Sequence, residues 1–186
     1  MIPPCIIVNN VFTEDQILRL TSFCSSLDLK QGETLSQTEN IVRKSKLAYI
    51  HRNDETQWIF NRIGYLIDGV NSGYYKFNLT GFDFMQYAEY NESDEGFYDY
   101  HMDTFMGGNQ YHKGKVRKLS LSFLLNEDYE GGEFVVNLNQ EKTAKVVNTY
   151  KNCALVFPSF VLHKVTPVTK GVRKSIVVWA EGPNFI

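Results

Sequence analysis

Three side chains in this sequence have metal-binding chemistry at a useful spacing. His101 and Asp103 form an H-x-D pair in a segment, Phe97 to Asp103, that is rich in aromatic residues and reads as a strand. Residues i and i+2 of a strand share a face, so an imidazole and a carboxylate placed this way can grip one ion together. His163 lies far downstream amid Val161, Leu162 and Val165, and Arg173 follows it by ten positions. Two neutral imidazoles and one carboxylate occupy one face of an octahedral iron(II) and leave the opposite face open. That open face can take a chelating 2-oxo acid and then dioxygen. A 2-oxo acid with a second carboxylate needs a cation opposite it, and a guanidinium pairs with carboxylate bidentately while staying charged in a partly buried place. Strand parity puts Arg173, Ser175, Val177 and Trp179 on one face, so Ser175 adds a hydroxyl donor beside Arg173. Taken singly, the H-x-D pair reads as a surface ion pair, His163 as a core histidine, and Arg173 as a solvated neighbour of Lys170 and Lys174. The combination carries the metal reading.

The positioning elements follow from periodicity. Ile6-Ile7-Val8 is a short strand. Thr13-Glu14-Asp15-Gln16 is a capping-box pattern that opens a helix, with Ile17, Leu20, Cys24 and Leu27 at helical spacing. Lys30 to Asn40 is polar and loop-like, and Ser45 to Ile50 is a strand. A second helix starts near Asp54, carries Ile59, Ile63, Leu66 and Val70 on one stripe, and ends at Asn71-Ser72-Gly73. Both helices are expected to pack on a sheet. Beyond Gly73 the pattern alternates. Strands are expected at Tyr74 to Asn78, Gly81 to Tyr90, Phe97 to Asp103, Val116 to Leu125, Glu133 to Leu138 and Lys145 to Asn148. A terminal hairpin is expected to carry His163 on one strand and Arg173 on the other, turning at Thr169-Lys170-Gly171. Asn91 to Gly96 and the glycine-bearing stretch Thr104 to Gly114 flank the H-x-D strand and read as mobile loops. Arg117-Lys118, with Lys113 and Lys115, reads as a solvated basic run. Many short strands behind two helices give a mainly β (α+β) fold, a jelly roll of the cupin type.

The 186 residues are expected to form one domain, 1–186, with 1–80 as N-terminal helical support and strands and 81–186 as the core. Apolar residues make up 43%, charged residues 22% and aromatics 14%, and the net charge is −2, which points away from nucleic-acid and membrane partners. Cys5, Cys24 and Cys153 are scattered and odd in number, so neither a disulfide framework nor a zinc pair is expected. A reducing, cytoplasmic setting suits them. The N-terminal MIPPCIIVNN lacks the charged and apolar regions of a signal peptide, and no run is long enough to span a bilayer.

From about Phe84 to Pro183 the sequence resembles the prolyl 4-hydroxylase-like branch of the 2-oxoglutarate- and iron(II)-dependent dioxygenases. The matching pieces are Met85 to Tyr90, Tyr98 to Asp103, Arg117 to Ser122, Tyr129 to Phe134, Val156 to His163 and Arg173 to Trp179. The resemblance implies a double-stranded β-helix, with iron(II), 2-oxoglutarate and O2 as cofactor and co-substrates and ascorbate as a candidate reductant. It implies His101, Asp103 and His163 as iron ligands and Arg173 as the partner of the 2-oxoglutarate carboxylate. Tyr90 would hydrogen-bond the same carboxylate, Tyr98 would stand beside the substrate, and Trp179 would line the inner wall. Two departures matter. Glu92-Ser93-Asp94-Glu95 lengthens the turn before Tyr98, so Tyr87 competes with Tyr90. Leu124 stands where some relatives place a co-substrate-binding tyrosine. The implied activity is hydroxylation of an unactivated C–H, with decarboxylation of 2-oxoglutarate to succinate, on a prolyl residue of a peptide or protein. The alternatives are another residue, a free amino acid, a small molecule, a non-catalytic cupin-like module or a 2-oxo-acid sensor.

Overall fold

Thr13 caps the first helix by accepting from the Gln16 amide, while the Gln16 side chain accepts from the Thr13 amide at 3.0 Å. This capping box starts α1 (Glu14–Ser25), which buries Ile17, Leu20 and Cys24. Burial pushes the Cys24 thiol up to about 12, so it packs as a small apolar side chain. The structure, a computed structural model, describes residues 3–32, 42–104, 114–137 and 144–185. The expected loops over 30–40 and 104–114 fall largely outside the described residues. Among the described residues no helix is long and apolar enough to cross a membrane.

The remaining elements are β1 (Ile6–Asn9), β2 (Lys30–Gln31), β3 (Arg43–Lys44), β4 (Lys46–His51), α2 (Gln57–Val70), β5 (Phe84–Asn91), β6 (Phe97–His101) and β7 (Lys115–Leu124). They continue with β8 (Tyr129–Gly131), β9 (Phe134–Asn137), β10 (Lys145–Val147), β11 (Cys153–Pro158), β12 (Leu162–Val165) and β13 (Val168–Pro183). An eight-stranded sheet runs β1-β11-β7-β13-β5-β4-β2, with β8 pairing the start of β13; a five-stranded sheet runs β10-β9-β12-β6-β3. Neither sheet closes on itself, and the two face each other as a jelly roll. Strands from the N-terminal stretch join both sheets: β1, β2 and β4 the larger, β3 the smaller.

Strand alternation divides the core into two. Met85 and Tyr87 of β5 face α1 and α2, packing with Ile17, Leu20, Ile59 and Ile63. Ala88 and Tyr90 face the other way, toward Phe134, Val136 and Val165 of the smaller sheet. Each fully buried Ile or Leu of these stripes contributes about 1.5–3 kcal/mol, which is what clamps the helices to the sheet.

Three expectations about elements fail for local reasons. Tyr74 to Asn78 is not a strand. The chain leaves α2 through a π-helical turn, Asn71–Tyr75, and Lys76 is left-handed at φ 57°. The Asn71 amide fixes this exit by donating to Phe77 O and accepting from Phe77 N, both at 2.9 Å. The β6 strand stops at His101, short of Asp103. The terminal hairpin does not exist, because β12 and β13 lie in different sheets. Thr169 and Lys170 are already in β13, and the chain crosses between the sheets at Thr166-Pro167. That crossing is held by Gly132 N donating to Pro167 O and Val168 N donating to Gly96 O, both at 3.0 Å.

Candidate active site

His101 and His163 reach the same point because β6 and β12 pair antiparallel with these two residues in direct register. Their ring centroids are 4.2 Å apart. Asp103 lies beyond the end of β6, yet its amide and that of Thr104 both donate to Ser159 O, at 2.8 and 3.1 Å. This turns the carboxylate back onto the histidines. Asp103 Oδ1 is 3.6 Å from His101 Nε2, and Oδ2 is 3.6 Å from His163 Nε2. One ligand atom from each of the three residues falls within 4.8 Å of the others.

The tautomers follow from the backbone. His101 Nδ1 lies 2.7 Å from Asp99 O and His163 Nδ1 lies 2.9 Å from Val161 O. A carbonyl only accepts, so each Nδ1 carries a proton and each Nε2 is the atom turned toward Asp103, the one that presents a lone pair when the ring is neutral. Burial pulls the His101 imidazole down to about 4, with the neighbouring His163 adding to the effect and Asp103 only partly opposing it. Burial works to raise the Asp103 carboxyl, but the two imidazoles and the Ser120 hydroxyl outweigh it and hold the group below its ordinary value. Two imidazole Nε2 atoms and a carboxylate thus converge, a donor set that fits a divalent cation. Phe134 and Phe157 flank His163 at centroid distances of 5.3 and 4.7 Å and keep its surroundings apolar.

Across the cleft, β13 supplies Arg173, Ser175, Val177 and Trp179 to one wall, as strand parity requires. Arg173 is only 1% exposed. Its Nη1 donates to Ser175 Oγ at 3.1 Å, its Nε has no partner, and its guanidinium lies 5.6 Å from the Tyr90 ring. Among the described residues no carboxylate lies within 4.0 Å of it. An uncompensated buried cation costs several kcal/mol, so this orphaned guanidinium fits an external carboxylate.

Tyr90, cross-strand from Arg173, lines the cleft. Tyr87 points to the helix side and donates to Glu89 Oε1 at 2.6 Å, which removes it from the site. Leu124 is buried next to the site, cross-strand from Ser175, and brings no hydroxyl. Tyr98 stacks on His101 at 3.5 Å between centroids, and burial raises its hydroxyl to about 12.

The sequence reading missed four contributors. Ser120 donates to Asp103 Oδ2 at 2.7 Å and meets Ser159 Oγ at 2.9 Å. Arg43 and Gln86 enter the cleft from β3 and β5. Arg117, read as solvated, instead stacks on Trp179 at 4.0 Å; the Arg117 Nε and Trp179 Nε1 atoms are buried without hydrogen-bond partners. Lys118 beside it is buried as well, at 5% exposure. Of the expected loops, Asn91 to Gly96 is fastened rather than free: Glu92 Oε2 accepts from Gly171 N at 2.6 Å.

A prolyl-4-hydroxylase from Pseudomonas putida superposes with a TM-score of 0.76 at 21% identity, covering 97% of this chain and 94% of that one. A Trichoplax adhaerens prolyl hydroxylase, solved with a hypoxia inducible factor peptide fragment, gives 0.74 at 21% identity over 95% and 83% of the two chains. These likenesses concern the fold. A PKHD-type hydroxylase from Gloeothece citriformis is 36% identical over 84 residues, which is 45% of this chain and 37% of the relative. The match thus spans little more than a third of that relative's length. The family described as the 2OG-Fe(II) oxygenase superfamily matches residues 85–181, more than half the chain and the stretch that holds His101, Asp103, His163 and Arg173. On that match the chain belongs to the 2OG-Fe(II) oxygenase superfamily.

Proposed function

We propose that this chain is an iron(II)- and 2-oxoglutarate-dependent dioxygenase that hydroxylates an unactivated C–H bond, with a prolyl residue of a peptide or protein as its substrate. The observation that carries the reading is the pairing of two incomplete sites in one cleft: a converging His101–Asp103–His163 set and a buried Arg173 with no carboxylate partner among the described residues. Each lacks what the other reactant brings.

In this reading His101 Nε2, Asp103 and His163 Nε2 would hold iron(II). Bound there, iron(II) supplies the redox chemistry that couples O2 and the decarboxylation of 2-oxoglutarate, to succinate and carbon dioxide, to insertion of one oxygen into the substrate C–H. Arg173 takes the far carboxylate of 2-oxoglutarate through its unsatisfied donors, with Ser175 orienting the guanidinium and Tyr90 offering its hydroxyl. Phe134, Phe157 and Val165 keep water from the inner end of the cleft. Tyr98 and Trp179 form the walls beside the substrate. Ascorbate would serve as external reductant. Prolyl peptides are the substrate class favoured by the fold comparisons, since two of the superposed proteins are named as prolyl hydroxylases and one was solved with a peptide.

The test is mass spectrometry of proline-containing peptides incubated with the protein, iron(II) and 2-oxoglutarate. A gain of one oxygen that requires both additions is expected. Succinate release without any oxidised peptide would remove the prolyl assignment.

A further inference from the structure

We propose that Arg43 anchors the primary substrate and that this substrate carries a carboxylate beside the reacting carbon. The carboxylate belongs either to an acidic side chain next to a prolyl residue or to the chain-terminal group of the reacting residue itself. This rests on the reading of the cleft as an iron and 2-oxoglutarate site.

Arg43 lies outside the family-matched interval, on the two-residue strand β3, where it is cross-strand from Tyr98. Its guanidinium lies 4.6 Å from the Tyr98 ring, the same ring that stacks on His101. Nε donates to Ser45 Oγ at 2.7 Å, while Nη1 and Nη2 reach Gln86 Oε1 and Tyr90 Oη only at 3.4 and 3.5 Å. All three partners are neutral, and they engage only three of the five N–H donors of the guanidinium. Among the described residues no carboxylate lies within 4.0 Å of it.

Charge accounting over the cleft singles out this residue. Among the described lining residues the charged groups are Arg43, Arg173 and Asp103, apart from the histidines. A divalent ion on Asp103 leaves one positive charge. A 2-oxoglutarate dianion on Arg173 leaves one negative charge. These cancel, so Arg43 is the cation left over when both are bound. In a poorly solvated cleft an unmatched cation favours an anionic partner. It stands on the smaller sheet, across from Arg173 on the larger, and so offers a second carboxylate position.

The test uses two acid–amide pairs that differ in charge alone: N-acetylproline against N-acetylprolinamide, and blocked glutamyl-proline amide against its glutaminyl counterpart. Binding is titrated calorimetrically with manganese(II) in place of iron and 2-oxoglutarate present. In one pair the acid should bind about tenfold to a hundredfold tighter than the amide, and the pair that does so identifies the carboxylate's source. Arg43→Gln should erase the preference and Arg43→Lys should keep part of it. Equal affinity of acid and amide in both pairs would overturn the proposal, as would a preference that survives Arg43→Gln. So would an Arg43→Gln variant that loses 2-oxoglutarate affinity as severely as Arg173→Gln, because Arg43 would then belong to the co-substrate. Binding of 2-oxoglutarate itself, followed in separate titrations without the acid–amide probes, tests the proposed function independently.

Discussion

Ser120 shows how one hydroxyl can set the geometry of a candidate metal ligand. It is fully buried, donates to Asp103 Oδ2 at 2.7 Å, and is itself held by Ser159 Oγ at 2.9 Å. It therefore aims one carboxylate oxygen and leaves Oδ1 toward His101. Partners that orient metal ligands in this way are typically worth about 10–100-fold in metal affinity. Ser120→Ala should weaken binding of manganese(II) or iron(II) by about tenfold while far-ultraviolet circular dichroism stays unchanged. Unaltered metal affinity in that variant would show that the backbone contacts to Ser159 alone position Asp103. The convergence of His101, Asp103 and His163 was legible in the sequence because each is a metal-binding type lying in or just past a strand-like segment. Ser120, Arg43 and Arg117 were not. Their roles arise from what lies across a sheet or a cleft, and no local pattern encodes that.

Among the elements, the crossing from β12 to β13 decides the architecture of the site. The sequence shows two apolar runs separated by Thr169-Lys170-Gly171, the usual mark of a hairpin. Pro167 and the short β8 override it: β8 pairs with the first residues of β13, and the chain passes from one sheet to the other. His163 and Arg173 consequently face each other across the cleft instead of lying side by side. Gly131 makes this possible: its φ is +72°, and it passes so close to Pro167 O that a Cβ there would overlap that oxygen. Gly131→Ala should destabilise the protein by at least about 2 kcal/mol, through left-handed backbone strain and the clash with that carbonyl. Urea unfolding reads this directly, and an unchanged midpoint would contradict the close approach at the crossing. The longer strands and both helices were legible because their apolar periodicity is strong, whereas the two- and three-residue strands β2, β3 and β8 are too short to show a period. The π-helical exit from α2 was not, since it depends on the Asn71 amide closing on Phe77.

At the scale of the whole molecule, the two sheets bring together groups that go unsatisfied until ligands arrive. Asp103 and two imidazoles come from β12 and the end of β6, and Arg173, whose Nε has no partner, comes from the facing sheet. An ion that binds only the folded chain must then stabilise the fold as a whole. At a free concentration about 100 times its dissociation constant the gain is about 2.7 kcal/mol, or roughly 5–10 °C in Tm for a chain of this size. Manganese(II) should raise the Tm of the wild-type protein by that amount and leave Asp103→Ala unmoved. Equal shifts in both would place the ion elsewhere. The large-scale arrangement of helices on a jelly roll was legible from the order of elements. Which face of β5 meets the cleft was not settled until the register was known, and it is this register that selects Tyr90 over Tyr87.

The central claim is that His101, Asp103 and His163 hold an iron that turns over 2-oxoglutarate positioned by Arg173. The most direct measurement is succinate release from 2-oxoglutarate under air, with and without added iron(II), for the wild-type protein and for Asp103→Ala. Iron-dependent succinate is expected from the wild type, and none above background from a folded Asp103→Ala variant. Succinate formed at the wild-type rate by Asp103→Ala, or formed equally without iron, would contradict it.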